Sequence, residues 1–339
     1  MQPLIIVQSK IIPFDLPFLR VFTFAGNTLT GRSGFYLEIT TADGWTAKGE
    51  VAPLPGMSEE TLKKSKYDLQ DFLLFLSGRH LPLEKDALIL SIREDNRLSL
   101  CCPSVRFGVE SVLFSLAARA NRLSLAQFLE ARASEALSAV LLQGTHEQVI
   151  AQAKQMRAKG HTVFKLKVGD RNIPLDVKKV QDLRAAIGQD ALIRLDANRV
   201  WHLSEALLFA QLVGNSQIEF IEEPLSDMGR LNEFYQATHM PVALDETLSV
   251  MRPGVSTPAR CSPTLACSEG VKAYVIKPMV LGGIVIALDW IEEARRWGKK
   301  AVISSSFESP VGLTVLNALA CLTGQTAGLG TQGWFNDEQ

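Results

Sequence analysis

Residues 163–169, "VFKLKVG", decide how the rest of the chain is interpreted. The run is rich in β-branched and aromatic residues and ends at a glycine, which is typical of a short strand. Alternate residues of a strand lie on one face, so Lys165 and Lys167 are expected to point in the same direction. Taken alone, the pattern indicates an amphipathic strand with a solvated lysine face. The remainder of the sequence favours a different use for the two lysines.

The composition is that of a large globular protein with little net charge. The chain has 339 residues, of which 47% are hydrophobic, and this suits one large barrel or two domains. Its net charge is −1 and the charged residues form no basic stripe, so we expect no nucleic-acid partner. The five cysteines form no CxxC pair, which indicates reduced thiols rather than disulfides or a zinc site. The sequence shows no signal-peptide pattern and no run near the ~20 apolar residues of a membrane span, so we expect a cytoplasmic protein without membrane contact.

The first hundred residues differ in pattern from the rest. Residues 34–53, "GFYLEITTADGWTAKGEVAP", predict two strands joined by a turn at residues 42–44. Residues 58–78, "SEETLKKSKYDLQDFLLFLSG", predict a helix with an acidic first turn. These elements predict an α+β domain over residues 1–103, and the C-terminal tail, about residues 333–339, is a candidate to return to it.

Beyond this part, short apolar runs alternate with helical stretches, which predicts βα units and a parallel sheet over residues 104–332. A polar residue ends nearly every apolar run, at intervals of 23 to 32 residues: Lys167, Asp196, Glu222, Asp245, Lys277 and Ser304. So regular a repeat favours a closed (β/α) barrel over an open doubly wound sheet. The sequence contains neither a GxGxxG motif after a strand nor a Walker A loop, so no nucleotide fingerprint competes with the barrel.

The polar strand ends predict a catalytic site, because the C-terminal ends of barrel strands meet at one mouth. Asp196, Glu222 and Asp245 would form an oxygen-rich set suited to a hard divalent cation such as Mg²⁺. Lysines on either side of the cation could face opposite sides of a bound substrate. Each residue taken singly is also typical of a helix cap, a solvated loop or a surface lysine. Their order and spacing, taken together, favour one shared catalytic site over these separate explanations.

The same residues carry a resemblance to a known family. The order KxK, D-x-N, EEP, DE[ST] and a later lone lysine resembles the enolase superfamily, in its muconate-lactonizing subgroup. Within the subgroup the chain is most similar to the o-succinylbenzoate synthase family, in "GEVAPLPGMSEET" (49–61), "PSVRFGVE" (103–110), "RLDANRVW" (194–201), "VIKP" (275–278) and "ISSSFESPVGL" (303–313). The resemblance implies an α/β fold, a (β/α)7β TIM-like barrel with an α+β capping domain.

The resemblance also implies an activity and a set of roles. The family reaction is the Mg-dependent syn-dehydration of 2-succinyl-6-hydroxy-2,4-cyclohexadiene-1-carboxylate to 2-succinylbenzoate in menaquinone biosynthesis, and Mn²⁺ is expected to substitute for Mg²⁺. The metal would be held by Asp196, Glu222 and Asp245. Lys167 would be the base, its pKa lowered by Lys165 and by partial burial. Lys165 would also help to hold the substrate carboxylate, and Lys277 would stabilise charge from the opposite face of the ring.

Further substrate contacts are implied at positions that match the family, namely Asn198, Ser304, Gly328, Arg32 and Met57. Arg32 and Met57 would lie on two loops of the capping domain that close over the mouth. For Arg32, a role at the surface without substrate contact is an equal alternative.

Two segments depart from the family pattern. Residues 249–270 are long and rich in Pro and Cys, so the usual helix there is expected to be broken, and Gly330 stands where the synthases often carry aspartate.

Three other functions remain open at this point. An N-succinylamino acid racemase or a dipeptide epimerase would use the same scaffold and the same lysines. A Schiff-base aldolase would use a strand-end lysine without a metal, but the three carboxylates argue against it. The intact set of lysines and three carboxylates argues against a catalytically inactive binding protein. In each case the expected partner is a small-molecule carboxylate, and the chain could be a monomer or a homo-oligomer.

Overall fold

Two β-sheets organise the chain. The computed structural model describes residues 3–24, 27–169, 172–215, 217–251 and 263–335. One sheet has four strands in the order β3-β2-β1-β4, and its strands are antiparallel where they pair. The other has seven strands in the sequential order β5 to β11, all parallel. The sequence predicted this separation into an antiparallel and a parallel part.

The four-stranded sheet is built around a long hairpin. Its strands are β1 (Leu4–Phe24), β2 (Asn27–Thr41), β3 (Thr46–Val51) and β4 (His80–Leu81). The β2–β3 turn contains Gly44 at a φ of 82°, a conformation that glycine adopts without strain. Three helices accompany the sheet: α1 (Leu62–Leu73), α2 (Lys85–Arg93) and α3 (Asn96–Leu100). The Thr61 hydroxyl accepts a hydrogen bond from the Lys64 N–H and so begins α1. The predicted acidic first turn is wrong, because Glu59 and Glu60 precede this N-cap and the first turn of α1 contains no acidic residue.

Helix α4 (Pro103–Ala120) lies against the four-stranded sheet, and most of its residues are buried. The contact with β3 requires two glycines. A Cβ at Gly49 would lie 2.0 Å from the carbonyl oxygen of Gly108, and one at Gly108 would lie 2.4 Å from the Val51 side chain. A methyl group at either position would push the helix off the sheet.

The parallel sheet alternates with helices as a (β/α) barrel does. Its strands are β5 (Val140–Leu142), β6 (Val163–Lys167), β7 (Leu192–Asp196), β8 (Ile218–Glu222), β9 (Val242–Leu244), β10 (Val271–Ile276) and β11 (Lys300–Ile303). The helices that follow α4 are α5 (Leu125–Phe128), α6 (His146–Ala158), α7 (Ile173–Ile187), α8 (Leu203–Val213), α9 (Leu231–Thr238), α10 (Glu246–Val250), α11 (Pro263–Ala266), α12 (Pro278–Leu281), α13 (Ile284–Arg296) and α14 (Pro310–Thr323). The β-strand periodicity of the sequence therefore predicted the parallel sheet correctly.

A short segment closes the barrel between its first and last strands. Gly328 bridges in parallel to Ser304, which follows β11, and Ala327 bridges in parallel to Ser138, which precedes β5. The backbone N–H of Gly328 donates to the carbonyl of Ile303 at 2.8 Å. Residues 327 and 328 thus take the place of an eighth strand, and the predicted (β/α)7β barrel with an α+β domain is confirmed.

The C-terminal segment contacts the long hairpin. Phe335 forms an antiparallel bridge with Phe18 of β1. The Phe18 ring packs against the rings of Phe307, Trp334 and Phe335 at centroid distances of 5.6, 5.6 and 5.4 Å. Residues 336–339 lie outside the described part of the chain, as do residues 252–262 of the segment in which a broken helix was expected.

Four of the five cysteines lie in the described part of the chain. Cys101, Cys102, Cys267 and Cys321 are free thiols, while Cys261 lies outside the described residues. Among the helices described, none is both long and apolar enough to cross a membrane.

A buried carboxyl group on α4 is expected to make the free energy of unfolding depend on pH. Glu110 is fully buried and accepts a hydrogen bond from the Val285 N–H at 2.8 Å, at the start of α13. Burial raises the pKa of Glu110 to about 7. A carboxyl whose pKa is raised by folding stabilises the native state fully below its unfolded pKa, and this contribution disappears as the pH rises through the folded pKa.

We therefore expect Glu110→Gln to change the pH dependence of the unfolding free energy. The wild-type free energy should fall between about pH 5 and pH 8, and the variant should lose part of this slope because glutamine does not titrate. Urea denaturation at several pH values measures both slopes. Parallel curves for the two proteins would contradict the raised pKa.

Candidate active site

A cavity of about 690 Å³ lies at the C-terminal end of the barrel strands. Six polar strand-end residues line it, namely Lys165, Lys167, Asp196, Glu222, Lys277 and Ser304. The other side is lined from the antiparallel domain by Val21, Leu54 and Met57. Five of the six strand-end positions that the sequence singled out therefore line one cavity, although they come from five different barrel strands. Asp245 is not among the described lining residues, but its carboxylate contacts the ammonium of Lys277, which is.

The β6 lysines lie on one strand face, as the opening segment predicted, but their surroundings differ. The Lys165 ammonium is 2.8 Å from Asp196 Oδ2 and 2.5 Å from Glu222 Oε2. Lys167 lies one pleat further along β6 and is exposed at the cavity surface. Lys165 is thus held among carboxylates, whereas Lys167 is accessible to a ligand in the cavity.

Lys277 approaches the cavity from β10. It is 8% exposed, and its ammonium lies 2.5 Å from Asp245 Oδ2. Lys277 and Lys167 both line the cavity, although their strands are separated by β7, β8 and β9. This arrangement presents two ammonium groups to one cavity from separate walls.

Burial and mutual repulsion disfavour the ionised form of the carboxyl groups in this site unless cations lie nearby. Burial, reinforced by Asp196 and Asp245, raises the pKa of Glu222 to about 8. Burial also raises the pKa of Glu246 to about 7. Burial opposes ionisation of Asp196, but the Lys165 ammonium outweighs it and lowers the pKa of that carboxyl.

The donor set fits a divalent cation. Asp196 and Glu222 are register partners on β7 and β8, and Asp245 directly follows β9, so the three carboxylates come from adjacent strands. Their oxygens contact the ammonium groups of Lys165 and Lys277, so the same oxygens already bind positive charge. Over the described residues no group of three or more His, Cys, Asp or Glu side chains converges directly as metal ligands. Carboxylate oxygens are the hard ligands that Mg²⁺ prefers, so the chemistry of the set is compatible with a divalent cation.

Family models match both parts of the chain. A model described as "Enolase C-terminal domain-like" matches residues 148–335, and one described as "MenC, N-terminal domain" matches residues 6–116. An o-succinylbenzoate synthase of Aliivibrio fischeri is 32% identical over 317 residues, covering 92% of this chain and 86% of the relative. The chain belongs to the o-succinylbenzoate synthase family of the enolase superfamily. A family member from Vibrio cholerae is 33% identical over 333 residues, covering 97% of this chain and 90% of the relative.

A solved structure supports the fold of this family member. The dipeptide epimerase of Enterococcus faecalis, described as complexed with Mg and the dipeptide L-Leu-L-Tyr, superposes with a TM-score of 0.82. The match is 24% identical in sequence and covers 96% of this chain and 89% of that one. The likeness extends over both sheets and shows the enolase-superfamily fold.

Four of the five further substrate positions expected for the family line the cavity: Asn198, Ser304, Gly328 and Met57. The Asn198 amide donates to Glu246 Oε1 at 3.1 Å, so one of its donors is already used. Gly328 leaves room beside Ser304, since a Cβ there would lie 2.8 Å from the Ser304 hydroxyl oxygen. Gly330 also lines the cavity.

The expectation that Arg32 contacts substrate needs correction for this family member. Arg32 is 1% exposed and is not among the described residues that line the cavity. Its guanidinium donates to the backbone carbonyls of Ala52, Pro53 and Phe307. These contacts join the β2–β3 part of the antiparallel domain to the loop after β11. Arg32 therefore connects the two parts of the molecule.

The sequence analysis missed several polar residues that line the cavity, among them Arg194 and Glu246. Arg194 lies two residues before Asp196 on the same face of β7, donates to Glu219 at 2.6 Å and lies over the Phe220 ring. Glu246 follows Asp245 and also lines the cavity. The period-two rule that linked Lys165 with Lys167 would have found Arg194, whereas no sequence signal separates Glu246 from an ordinary helix-start glutamate.

Proposed function

We propose that the chain is an enzyme that catalyses the reaction of its family, the syn-dehydration of 2-succinyl-6-hydroxy-2,4-cyclohexadiene-1-carboxylate to 2-succinylbenzoate in menaquinone biosynthesis. Membership of the synthase family over nearly the whole chain supports the reaction. The observation that carries the mechanism is the cavity, in which Lys167 and Lys277 lie on separate walls beside three carboxylates.

The proposed substrate requires removal of a weakly acidic proton, because the carbon that loses it is next to a carboxylate. We propose that Asp196, Glu222 and Asp245 hold Mg²⁺, and we expect Mn²⁺ to substitute. When bound, the metal supplies a Lewis acid that stabilises the negative charge developing on the substrate carboxylate. Lys165, which already contacts Asp196 and Glu222, adds a fixed positive charge at the same end of the cavity.

Proton transfer is assigned to Lys167. Its neutral amine takes the proton from C1, and the electron pair of that C–H bond becomes the third double bond of the ring as the C6–O bond breaks. The ammonium of Lys167 then donates its proton to the departing hydroxide, so water leaves on the side from which the proton was taken. One lysine can perform both transfers, which accounts for the syn course of the reaction.

The remaining residues bind and orient the substrate in this proposal. The Lys277 ammonium faces the ring from the wall opposite Lys167 and stabilises charge by a cation–π contact. Asn198, Ser304 and Gly328 shape the pocket around the polar substituents. Met57 covers the mouth and helps to exclude water.

The domain organisation predicted from the sequence belongs to the same proposal: residues 1–103 cap the mouth and residues 104–332 form the catalytic barrel. The change from the antiparallel sheet to the parallel sheet along the chain supports a division into two parts. The bridge from Phe335 to Phe18 supports a return of the tail to the capping domain. A cytoplasmic enzyme that acts on a small-molecule carboxylate, as a monomer or homo-oligomer, completes the proposal.

Turnover of the cyclohexadiene substrate tests the reaction. Purified protein with Mg²⁺ should consume the diene, followed by its absorbance, and form 2-succinylbenzoate. EDTA should abolish turnover and excess Mg²⁺ should restore it, because the carboxylates bind the metal reversibly. Absence of turnover in the metal-loaded protein, combined with deuterium exchange from solvent into an N-succinylamino acid, would replace the synthase by a racemase that uses Lys167 and Lys277 as paired acid and base.

A further inference from the structure

The second glutamate of the Glu222-Glu223-Pro224 motif has no role in the mechanism above, yet it is completely buried. Its carboxylate accepts four hydrogen bonds. Oε1 accepts from the backbone N–H groups of Asp245 and Thr247, each at 2.8 Å. Oε2 accepts from the Thr247 hydroxyl at 2.8 Å and from Arg199 Nε at 2.7 Å. Every donor belongs to a segment that directly follows a neighbouring strand of the barrel.

The backbone of Glu223 makes the same connections. Its N–H donates to the carbonyl of Ala243 in β9 at 3.2 Å, and its carbonyl accepts from the Arg199 N–H at 2.8 Å. Glu223 has a φ of 43°, and Asn198 and Arg199 have φ values of 43° and 59°. Residues other than glycine adopt such values rarely, and they keep them only where surrounding contacts hold the backbone in place. Glu223 supplies those contacts at the ends of β7, β8 and β9.

These three strand ends carry the proposed metal ligands. Asp196 ends β7, Glu222 ends β8, and Asp245 follows β9. The N–H of Asp245 is bonded to Glu223 itself, so the position of the Asp245 carboxylate depends on the Glu223 carboxylate. Asp245 in turn contacts the Lys277 ammonium at 2.5 Å. A substitution at Glu223 would therefore alter the position of a proposed metal ligand, Asp245, through a single hydrogen bond.

We propose that Glu223 is a positioning residue, which fixes Asp245 relative to Asp196 and Glu222 so that the three carboxylates bind one divalent cation. Arg199 balances the buried charge of Glu223 and ties it to the β7 end. The inference rests on the proposed function, because it takes the metal ligands from there. Glu223 itself is not among the described residues that line the cavity, so it acts through Asp245 and does not touch substrate.

Glutamine at position 223 tests the role of the carboxylate. In Glu223→Gln an amide NH2 faces either the backbone N–H groups or Arg199, so at least one donor loses its acceptor. We expect the affinity for Mg²⁺ alone, measured by isothermal titration calorimetry, to fall about 10- to 100-fold, as is usual when a contact that orients a metal ligand is lost. Glu110→Gln is the matched control, since Glu110 is equally buried and also accepts from a backbone N–H, that of Val285, but lies on α4. It should leave Mg²⁺ affinity unchanged.

A second variant covers the case in which Glu223→Gln does not fold. Thr247→Val removes the hydroxyl that donates to Glu223 and accepts from Arg199 Nη2, keeps the Glu223 carboxylate itself, and should weaken Mg²⁺ binding by a smaller factor. Mg²⁺ affinity equal to wild type in the folded variants would overturn the positioning role while leaving the proposed reaction intact. Failure of the wild-type protein to bind Mg²⁺ would instead overturn the metal ligands of the proposed function, and the role of Glu223 with them.

Discussion

Replacing Lys167 with alanine is expected to lower kcat for dehydration by about 10²- to 10⁴-fold, the usual contribution of a positioned acid–base group. The expected loss is large because Lys167 performs both proton transfers of the proposed reaction. Lys165 cannot take over, since its ammonium is held by Asp196 and Glu222 at 2.8 and 2.5 Å and these neighbours raise its pKa despite its burial. The rate of diene loss at saturating substrate and Mg²⁺ measures the effect.

Two controls separate the loss of the base from general damage. Lys178→Ala removes an exposed lysine of α7 that pairs with Asp182, and such surface pairs contribute about 0–1 kcal/mol, so its kcat should match wild type. Calorimetric titration of Lys167→Ala with Mg²⁺ should still show binding, because the metal carboxylates keep their contacts with Lys165 and Lys277. A Lys167→Ala protein that retains a tenth of the wild-type kcat would exclude Lys167 as the base.

The fold and the strand-end residues were predictable because they depend on local periodicity. A parallel strand places its last polar residue at the same edge of the sheet as its neighbours, so spacing along the chain is enough to bring Lys167, Asp196 and Lys277 together. No long-range contact had to be known for any of these predictions.

Residues whose role depends on contacts across the molecule could not be predicted in this way. Arg32 matched a loop position that covers the mouth, but in the folded chain its guanidinium reaches the carbonyl of Phe307, 275 residues away. In the sequence, nothing distinguishes Glu223 from a glutamate of a solvated loop. The four hydrogen bonds that its carboxylate accepts come from residues that follow β7 and β9. Nor does sequence reveal that the Lys165 ammonium contacts Asp196 and Glu222. Each case requires the three-dimensional arrangement of segments that are distant in the chain.

Arg32 lies between two buried carboxyl groups at the junction of the two parts of the molecule. Glu50, from β3, accepts hydrogen bonds from the Ser309 hydroxyl at 2.6 Å and from the Gly312 N–H at 3.0 Å, at the start of α14. Glu308 accepts from the Ser305 hydroxyl at 2.6 Å. Burial raises the pKa of Glu50 to about 7 and also raises that of Glu308, while Arg32 acts in the opposite direction on both.

We expect Arg32→Met to lower the free energy of unfolding by about 3–5 kcal/mol, the usual cost of removing one partner from a buried charge cluster. The variant leaves the carbonyls of Ala52, Pro53 and Phe307 without their donor and two carboxyls without a counter-ion. Urea denaturation measures the change. Arg230→Met is the control, since Arg230 pairs with Glu233 on the surface and its loss should cost about 0–1 kcal/mol.

The loss of stability in Arg32→Met should depend on pH, which a substrate-binding role for Arg32 would not predict. Below about pH 7 Glu50 takes up a proton in the folded state and no longer needs a counter-ion, so the destabilisation should shrink as the pH falls. Urea denaturation of wild type and Arg32→Met on either side of that pH measures the difference. Unchanged stability together with a raised KM for the diene would return Arg32 to the substrate site. A large loss of stability that recedes at low pH, with KM near wild type in the folded protein, would establish that Arg32 holds the barrel to the domain that covers it.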